Sequence, residues 1–424
     1  LQGIASYRRK SISQSEDFKV ASPSGKMQLL LIFLTVFIDL VGFGLVIPIL
    51  PTYAQQLHAS ETTVGWLIAS YSIMQFFFIP FWGKLSDRIG RRPVLLISLA
   101  TSCIGYLIWG FADTLLWLFV SRIVAGFGNA NIAVAQAYIS DVTSEENRAK
   151  GMGLIGAAFG LGFVLGPALG ILCLNMSHDL KFVGLVAAGF SLIDLILTAF
   201  MLPEPKERGN FTQERFGRGI SFVFNTLGDS KLRISFLIFY ISTFAFANME
   251  STLVLLTAKQ FHWDARANST MFLYIGFWII MVQGGLIRRL TKKNNEKRLI
   301  AMGSLLTAIG LLMLPLGANL TLVYVALALL AIGSGINNPC NQSLLSKLAP
   351  QDHVGGVLGV GQSVSTLGRI LGPIIGCYLF EHTGYMSPYF AAGACMLVAM
   401  VLSFMLPNLG AKAPETNAEA PTAA

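Results

Sequence analysis

Apolar residues in this chain come in blocks of about 20, separated by short polar or basic stretches. A helix of that length crosses roughly 30 Å of hydrocarbon. In lipid no water satisfies a free backbone N–H or C=O, so each block must close its hydrogen bonds internally as helix. Charged residues make up 12% of the 424 positions, about half of what a soluble domain carries. A soluble core of this size would need charged faces that the blocks lack.

The pattern predicts an all-α, polytopic membrane protein with twelve transmembrane helices in two six-helix bundles. The expected spans are 28–51, 62–82, 93–111, 115–139, 151–174, 182–203, 234–257, 268–287, 298–317, 320–345, 355–380 and 386–407. Residues 1–26 read as a cytoplasmic tail rather than a cleaved signal. Residues 27–203 and 234–407 form the two bundles, 204–233 a cytoplasmic linker, and 408–424 a disordered tail. In the linker, Phe216, Ile220, Val223, Phe224 and Leu227 recur at helical spacing. That spacing predicts either an amphipathic helix on the membrane surface or a plain linker.

On this map 25 of the 30 Lys and Arg residues fall at the termini and in the loops of one side. The other side holds only Lys181, Lys259 and Arg266. The bias predicts both termini in the cytoplasm, as in a bacterial inner membrane. The formal charge of +8 then reflects topology and anionic lipid, not nucleic acid, because it is scattered over short loops. All five cysteines fall inside expected spans without metal-ligand spacing, so they read as packing residues, with no metal and no cofactor expected. No phosphate-binding Gly-x-x-x-x-Gly-Lys-Ser/Thr and no nucleophile–base constellation is present, which argues against an ATP-driven pump and against an enzyme.

The two halves repeat. A shift of 206 positions carries Asn131 onto Asn337, Gln136 onto Gln342, Ser140 onto Ser346 and Gly162 onto Gly368. It also carries Gly166-Pro167-x-x-Gly170 onto Gly372-Pro373-x-x-Gly376. A tandem six-helix repeat implies two similar bundles, a site between them near the midplane, and alternating access by rocking.

Between the second and third spans lies Gly83-Lys84-Leu85-Ser86-Asp87-Arg88-Ile89-Gly90-Arg91-Arg92, read here as a basic, Gly-punctuated turn. With the repeat, it resembles the signature loop of the major facilitator superfamily, complete at Gly83, Asp87, Arg88, Gly90, Arg91 and Arg92. The resemblance covers residues 27–407 and implies that this loop locks the bundles together on the cytoplasmic side. Asp87 is expected to reach the start of the eleventh span, near Gly355-Gly356, when that side is shut; a helix N-terminus favours a carboxylate. Arg122-x-x-x-Gly126 looks like the family's fourth-span motif. Gly162-x-x-x-Gly166-Pro167-x-x-Gly170 resembles the motif of its antiporters, where small residues allow close packing and Pro bends the helix. Ile38-Asp39-x-x-Gly42-x-Gly44-x-x-x-Pro48-x-x-Pro51 is similar to the drug:proton antiporters, above all the tetracycline-exporter branch. That branch has an Asp before a Tyr in its third span, whereas here Gly105 precedes Tyr106. The resemblance therefore carries the fold and the exchange mode, and not tetracycline as cargo.

Five ionisable residues fall inside spans: Asp39, Arg122, Asp194, Glu250 and Arg369. Each costs about 2.5–3.5 kcal/mol at a helix centre, so they should face a cavity or a partner. The family arrangement, in which spans 1, 4, 7 and 10 line the cavity, implies that Asp39 binds the coupling proton. Arg122 is expected beside it, tuning its proton affinity, with the alternative that the two form a static bridge. Glu250 is expected to bind substrate or a second proton, or to serve packing. Arg369 is expected to join the bundles with Gly372 and Pro373, while Asp194 has no assigned role. Tyr71, Gln75, Asn129, Asn131, Asn248, Asn337, Asn338 and Asn341 are the expected substrate lining, with few polar groups in an apolar pocket.

The chain is thus expected to be a monomeric, proton-coupled exporter of an amphipathic small organic molecule. The rival readings are an importer or facilitator of a metabolite, siderophore or lipid-like molecule, and a transport-inactive receptor or scaffold.

Overall fold

The computed structural model describes residues 25–143, 145–205, 225–287, 289–290, 295–317, 319–350 and 354–407. Most of the linker, including the Phe216–Phe224 set, and both tails lie outside the described residues.

Among the described residues every regular element is a helix. The first half contains α1 (Gly25–Val46), α2 (Glu61–Ile89), α3 (Arg91–Gly110), α4 (Leu115–Val142), α5 (Glu145–Met176) and α6 (Leu180–Met201). The second contains α7 (Ser230–Phe261), α8 (Ala265–Leu286), α9 (Glu296–Leu316), α10 (Leu320–Leu348), α11 (Val354–Thr383) and α12 (Ser387–Ser403). Eleven are long and apolar enough to cross a membrane. The twelfth, α12, has 17 residues and spans about 25 Å at 1.5 Å per residue. Polar caps start the helices where the chain turns back: Ser60, Thr114, Asp179, Asp264, Asn295 and Asn319 each accept a backbone N–H of the first turn.

The basic segment is not a turn. Helix α2 runs on through Gly83–Ile89, and only Gly90 breaks it, with φ at +105°. Nothing between Lys84 and Ile89 opposes helix formation; the positive φ at position 90 suits only glycine.

Buried apolar side chains gather within each half, except that Ala265 packs into the first. Large apolar side chains such as Phe77, Leu116, Phe200 and Phe404 stay exposed, as a lipid-facing surface requires.

The halves meet along α2–α11 and α5–α8. At one end the contact is close. A Cβ on Gly65 would lie 2.5 Å from the Pro373 carbonyl oxygen. Thr62 N donates to Glu381 Oε2 at 2.7 Å, and Arg266 Nη2 donates to the Leu174 carbonyl at 3.2 Å. At the end bearing the basic segment the same helices part: Gly83, Gly156, Gly284, Gly285, Gly355 and Gly359 have open space where a Cβ would stand. The crevice between the halves therefore opens toward the basic end.

Candidate transport site

Inside each half the repeated glycines set the geometry of the lining. A Cβ on Gly162 would meet the Leu40 carbonyl at 2.9 Å, and one on Gly166 would meet Leu45 N at 2.5 Å. Helix α5 thus crosses α1 backbone to backbone beside Asp39. In the second half Gly372 and Gly376 crowd Asn248, so α11 crosses α7 beside Glu250. Pro167 and Pro373 sit inside their helices at equivalent places.

Between the halves lies a narrow crevice lined by Asp39, Phe43, Tyr71, Ser72, Gln75, Asn129 and Ile132 from the first half and Arg369 from the second. Asp39 is buried. With its amide turned so that each atom meets a complementary partner, Asn129 donates to the Asp39 carboxylate at 2.5 Å and accepts from Tyr71 Oη at 2.9 Å. Asn131 Nδ2 approaches Asp39 Oδ2 at 3.5 Å, and Gln75 Nε2 donates to the Asn129 carbonyl at 3.1 Å.

Residues two apart on an α-helix point to different sides. Here Asn129–Asn131 form a short 3₁₀ segment within α4, with Ala130 at φ −73°, ψ 15°. That break lets both asparagines address one carboxylate. The site is a carboxylate held by amides and a phenol network, with no cation in ion-pair contact among the described residues.

Arg122 does not stand beside Asp39. Its guanidinium lies over the rings of Trp109, Tyr71 and Tyr106, with 5.0, 5.6 and 5.8 Å to the centroids, and its Nε and Nη2 have no hydrogen-bond partner. The expected Asp39–Arg122 contact is absent in this conformation: the Tyr71 hydroxyl donates into the Asp39 network through Asn129, while the Tyr71 ring faces the Arg122 guanidinium. Cation–π contact supplies part of what a carboxylate would.

In the second half, Arg369, expected to join the bundles, lies on the crevice lining. It faces the crevice, its Nη2 donates to Thr366 Oγ1 at 3.1 Å, and it lies within electrostatic reach of Glu250 and Tyr71. Glu250 Oε1, Arg369 Nε, both amide atoms of Asn248 and both of Asn341 lack partners. Asn337 Nδ2 donates to Ser304 at 3.1 Å, whereas exposed Asn338 accepts from Gln342 at 3.1 Å. Of the expected lining, Tyr71, Gln75 and Asn129 border the crevice, Asn131 holds Asp39, and Asn248, Asn337 and Asn341 are buried within the second half.

The basic segment ties the ends of the first half together. Arg91 pairs with Asp87 at 2.6 Å and with Asp141 at 3.1 Å, and donates to Ser86 Oγ at 2.6 Å. Glu204 caps α3 by accepting from the backbone of Arg91 and Arg92 at 2.7 and 2.9 Å. Asp87 remains 49% exposed and turned to Arg91, away from the open ends of α11. A charge-inverted counterpart closes the second half, where Lys347 pairs with Glu296. Sequence inspection missed this pair, although the 206-residue shift carries Asp141 onto Lys347 and Arg91 to within one residue of Glu296. It also missed the Glu204 cap, which only the return of α6 to the start of α3 brings into place.

Two halves packed through repeated Gly-Pro motifs, with buried charges around a central crevice, agree with a family model. The model of the Major Facilitator Superfamily matches residues 32–372, with a further match at 289–424. The chain belongs to the major facilitator superfamily. It is an integral membrane transporter of that superfamily. It is 30% identical to the tetracycline resistance protein, class B, of Escherichia coli over 90% of this chain and 97% of that one. It is 29% identical to multidrug resistance protein 1 of Bacillus subtilis over 89% of this chain and 96% of the other. Among solved structures, the human organic anion transporter MFSD10 (TETRAN) superposes with a TM-score of 0.71 at 24% identity, over 90% of this chain and all of that one.

Proposed function

We propose that this transporter exports an amphipathic small organic molecule in exchange for protons, by alternating access. The observation that carries the reading is Asp39: a buried carboxylate on the crevice wall, bonded by amides and facing no counter-ion at contact distance among the described residues. Burying a charge this way is costly unless something neutralises it. A proton or a substrate group does so in turn, which is the requirement for exchange at one site. Arg122, held off by the aromatic rings, biases that carboxylate through the Tyr71–Asn129 network. Glu250 and Arg369 supply polar groups from the facing half.

The basic end is read as cytoplasmic, from the Lys and Arg bias, so both termini lie in the cytoplasm and the crevice opens inward. A bacterial inner membrane suits this orientation, and a monomer suffices, because each chain carries both halves. The resistance functions named in the relatives support an efflux direction.

The test is proton flux in proteoliposomes across a panel of amphipathic compounds, with Asp39→Asn beside the parent protein. One compound should move protons opposite to its own flux, and Asp39→Asn should bind it while losing the coupled movement. Full coupled transport by well-folded Asp39→Asn refutes the role given to Asp39.

A further inference from the structure

The two arginines inside the spans keep different company. Three aromatic rings cage Arg122. Arg369 on α11 lines the crevice. Among the described residues it has neither a ring beneath it nor an ion-pair partner. Its Nη2 donates to Thr366 Oγ1 at 3.1 Å. Thr366 is buried, and its hydroxyl gives its own proton to the Gln362 carbonyl at 2.9 Å. One nitrogen of the fork is thus held against α11. The other donors meet no acceptor among the described residues, and Nε is buried without one.

The nearby acids do not answer this cation. Gly368 packs against the α7 backbone at Tyr240 and Phe244. Glu250 lies six residues beyond Phe244 on α7, about 9 Å by helical rise, within electrostatic reach of Arg369. On the facing wall Asp39 is bonded by Asn129 and Asn131. Further along α11, Glu381 accepts from Thr62 N. Helices α8, α10 and α12 carry no acid.

A guanidinium does not shed its charge by losing a proton. Asp39 can be neutralised by a proton, whereas Arg369 can be neutralised only by an anion. Its planar fork matches the paired oxygens of a carboxylate or sulfonate. Phe43, Tyr71 and Ile132 supply apolar lining in the same crevice.

We infer that Arg369 is the subsite for an acidic group on the cargo: the exported molecule is an amphipathic organic acid whose carboxylate or sulfonate docks on the guanidinium of the second half. A hydrogen-bond donor elsewhere on the same molecule then faces Asp39 of the first half. Thr366 is the positioning residue for the fork. The inference rests on the export reading above and deepens it by naming the class of cargo.

Isothermal titration calorimetry on the purified protein tests it without transport. The probes are tetramethylrhodamine and amino acids with arylalkyl side chains, each beside its methyl ester. The ester keeps the body and the cationic group and removes only the negative charge. In the parent the acid of the best pair should bind about tenfold tighter than its ester, the least that a hydrogen bond to a charged group provides. Arg369→Gln should erase that preference by weakening the acid and sparing the ester. Arg369→Lys keeps the charge and loses the fork, so it should retain part of the preference. Glu250→Gln removes a like charge and should keep the preference or raise it. These two variants carry the test should Arg369→Gln fail to fold. Equal binding of acid and ester by the parent overturns the proposal, as does an Arg369→Gln loss shared alike by both forms, which is what a purely structural arginine gives. A preference lowered in Glu250→Gln, or binding of no pair at all, overturns it too. An Arg369-dependent preference in a protein that exchanges no protons in proteoliposomes refutes the exchange reading alone.

Discussion

Glu381→Gln tests the alternating-access reading at a single hydrogen bond. Glu381 lies two residues before the end of α11 and accepts from Thr62 N, in the first turn of α2, across the two halves. Asp87 lies two residues before the end of α2, and α2 and α11 are packed antiparallel. Each of these helices thus carries an acid two residues before its end. In the present conformation the pair at the Glu381 end is made and the one at the basic end is not, with Asp87 turned to Arg91 and Gly355 in open space. A carboxylate at a helix N-terminus is worth about 0.3–1 kcal/mol when exposed, and a hydrogen bond to a charged group adds to that. Glu381 is solvent-exposed, so screening keeps the total near ~1 kcal/mol. With tenfold per 1.4 kcal/mol, Glu381→Gln should shift the population about fivefold away from the state open at the basic end. The assay is a distance distribution by double electron–electron resonance between labels at the basic ends of α2 and α11. Asp87→Asn should shift it the other way, and the double variant should return near the parent. An unchanged distribution in Glu381→Gln, or the same sign of shift for both variants, refutes the paired-latch argument.

Further outcomes follow from the site and its scaffold. Gly166→Val places a Cβ within 2.5 Å of Leu45 N; overpacking of this kind costs about 1–3 kcal/mol, and thermal unfolding in detergent should fall accordingly. Arg122→Lys loses the planar contacts to Trp109, Tyr71 and Tyr106, so transport should drop more than tenfold while expression holds; parent-level transport would remove Arg122 from the coupling network. Lys347→Glu should impair transport or folding by leaving Glu296 against a like charge, and Glu296→Lys in the same chain should restore it, as measured by folded yield and flux.

The twelve helices were legible because lipid leaves no alternative to helix for 20 apolar residues. The repeat was legible because Gly-Pro pairs at equivalent places are hard to obtain otherwise. The end of α2 was misread because basic residues with glycines at both ends look like a turn, although only Gly90 takes a backbone conformation that stops a helix. The Asp39–Arg122 contact was expected from depth along two helices. Depth says nothing about what stands between, and here Tyr71 and Tyr106 do. The hold of Asn129 and Asn131 on Asp39 depends on a 3₁₀ break in α4 that no proline announces.

The repeat explains the scaffold and, by its departures, the site. Gly166 and Gly372 perform the same task, letting the fifth helix of each half press against the first. What they press against differs: Gly44 on α1, and Ala247 and Asn248 on α7. Both crossings bring backbone to backbone, and the first leaves Asp39 to be dressed by α4. The second keeps an amide and, two residues on, a carboxylate in the interior without partners of their own. The end clamps repeat with their charges inverted, Arg91–Asp141 against Lys347–Glu296; an ion pair holds two helix ends whichever side carries which sign. Packing and clamping are indifferent to such exchange, so they persist across the repeat. The exchange proposed for Asp39 needs an acid at one particular place, and there the halves part: the buried acid of the first is Asp39 on α1, held by amides, and that of the second is Glu250 on α7, whose Oε1 is unpartnered.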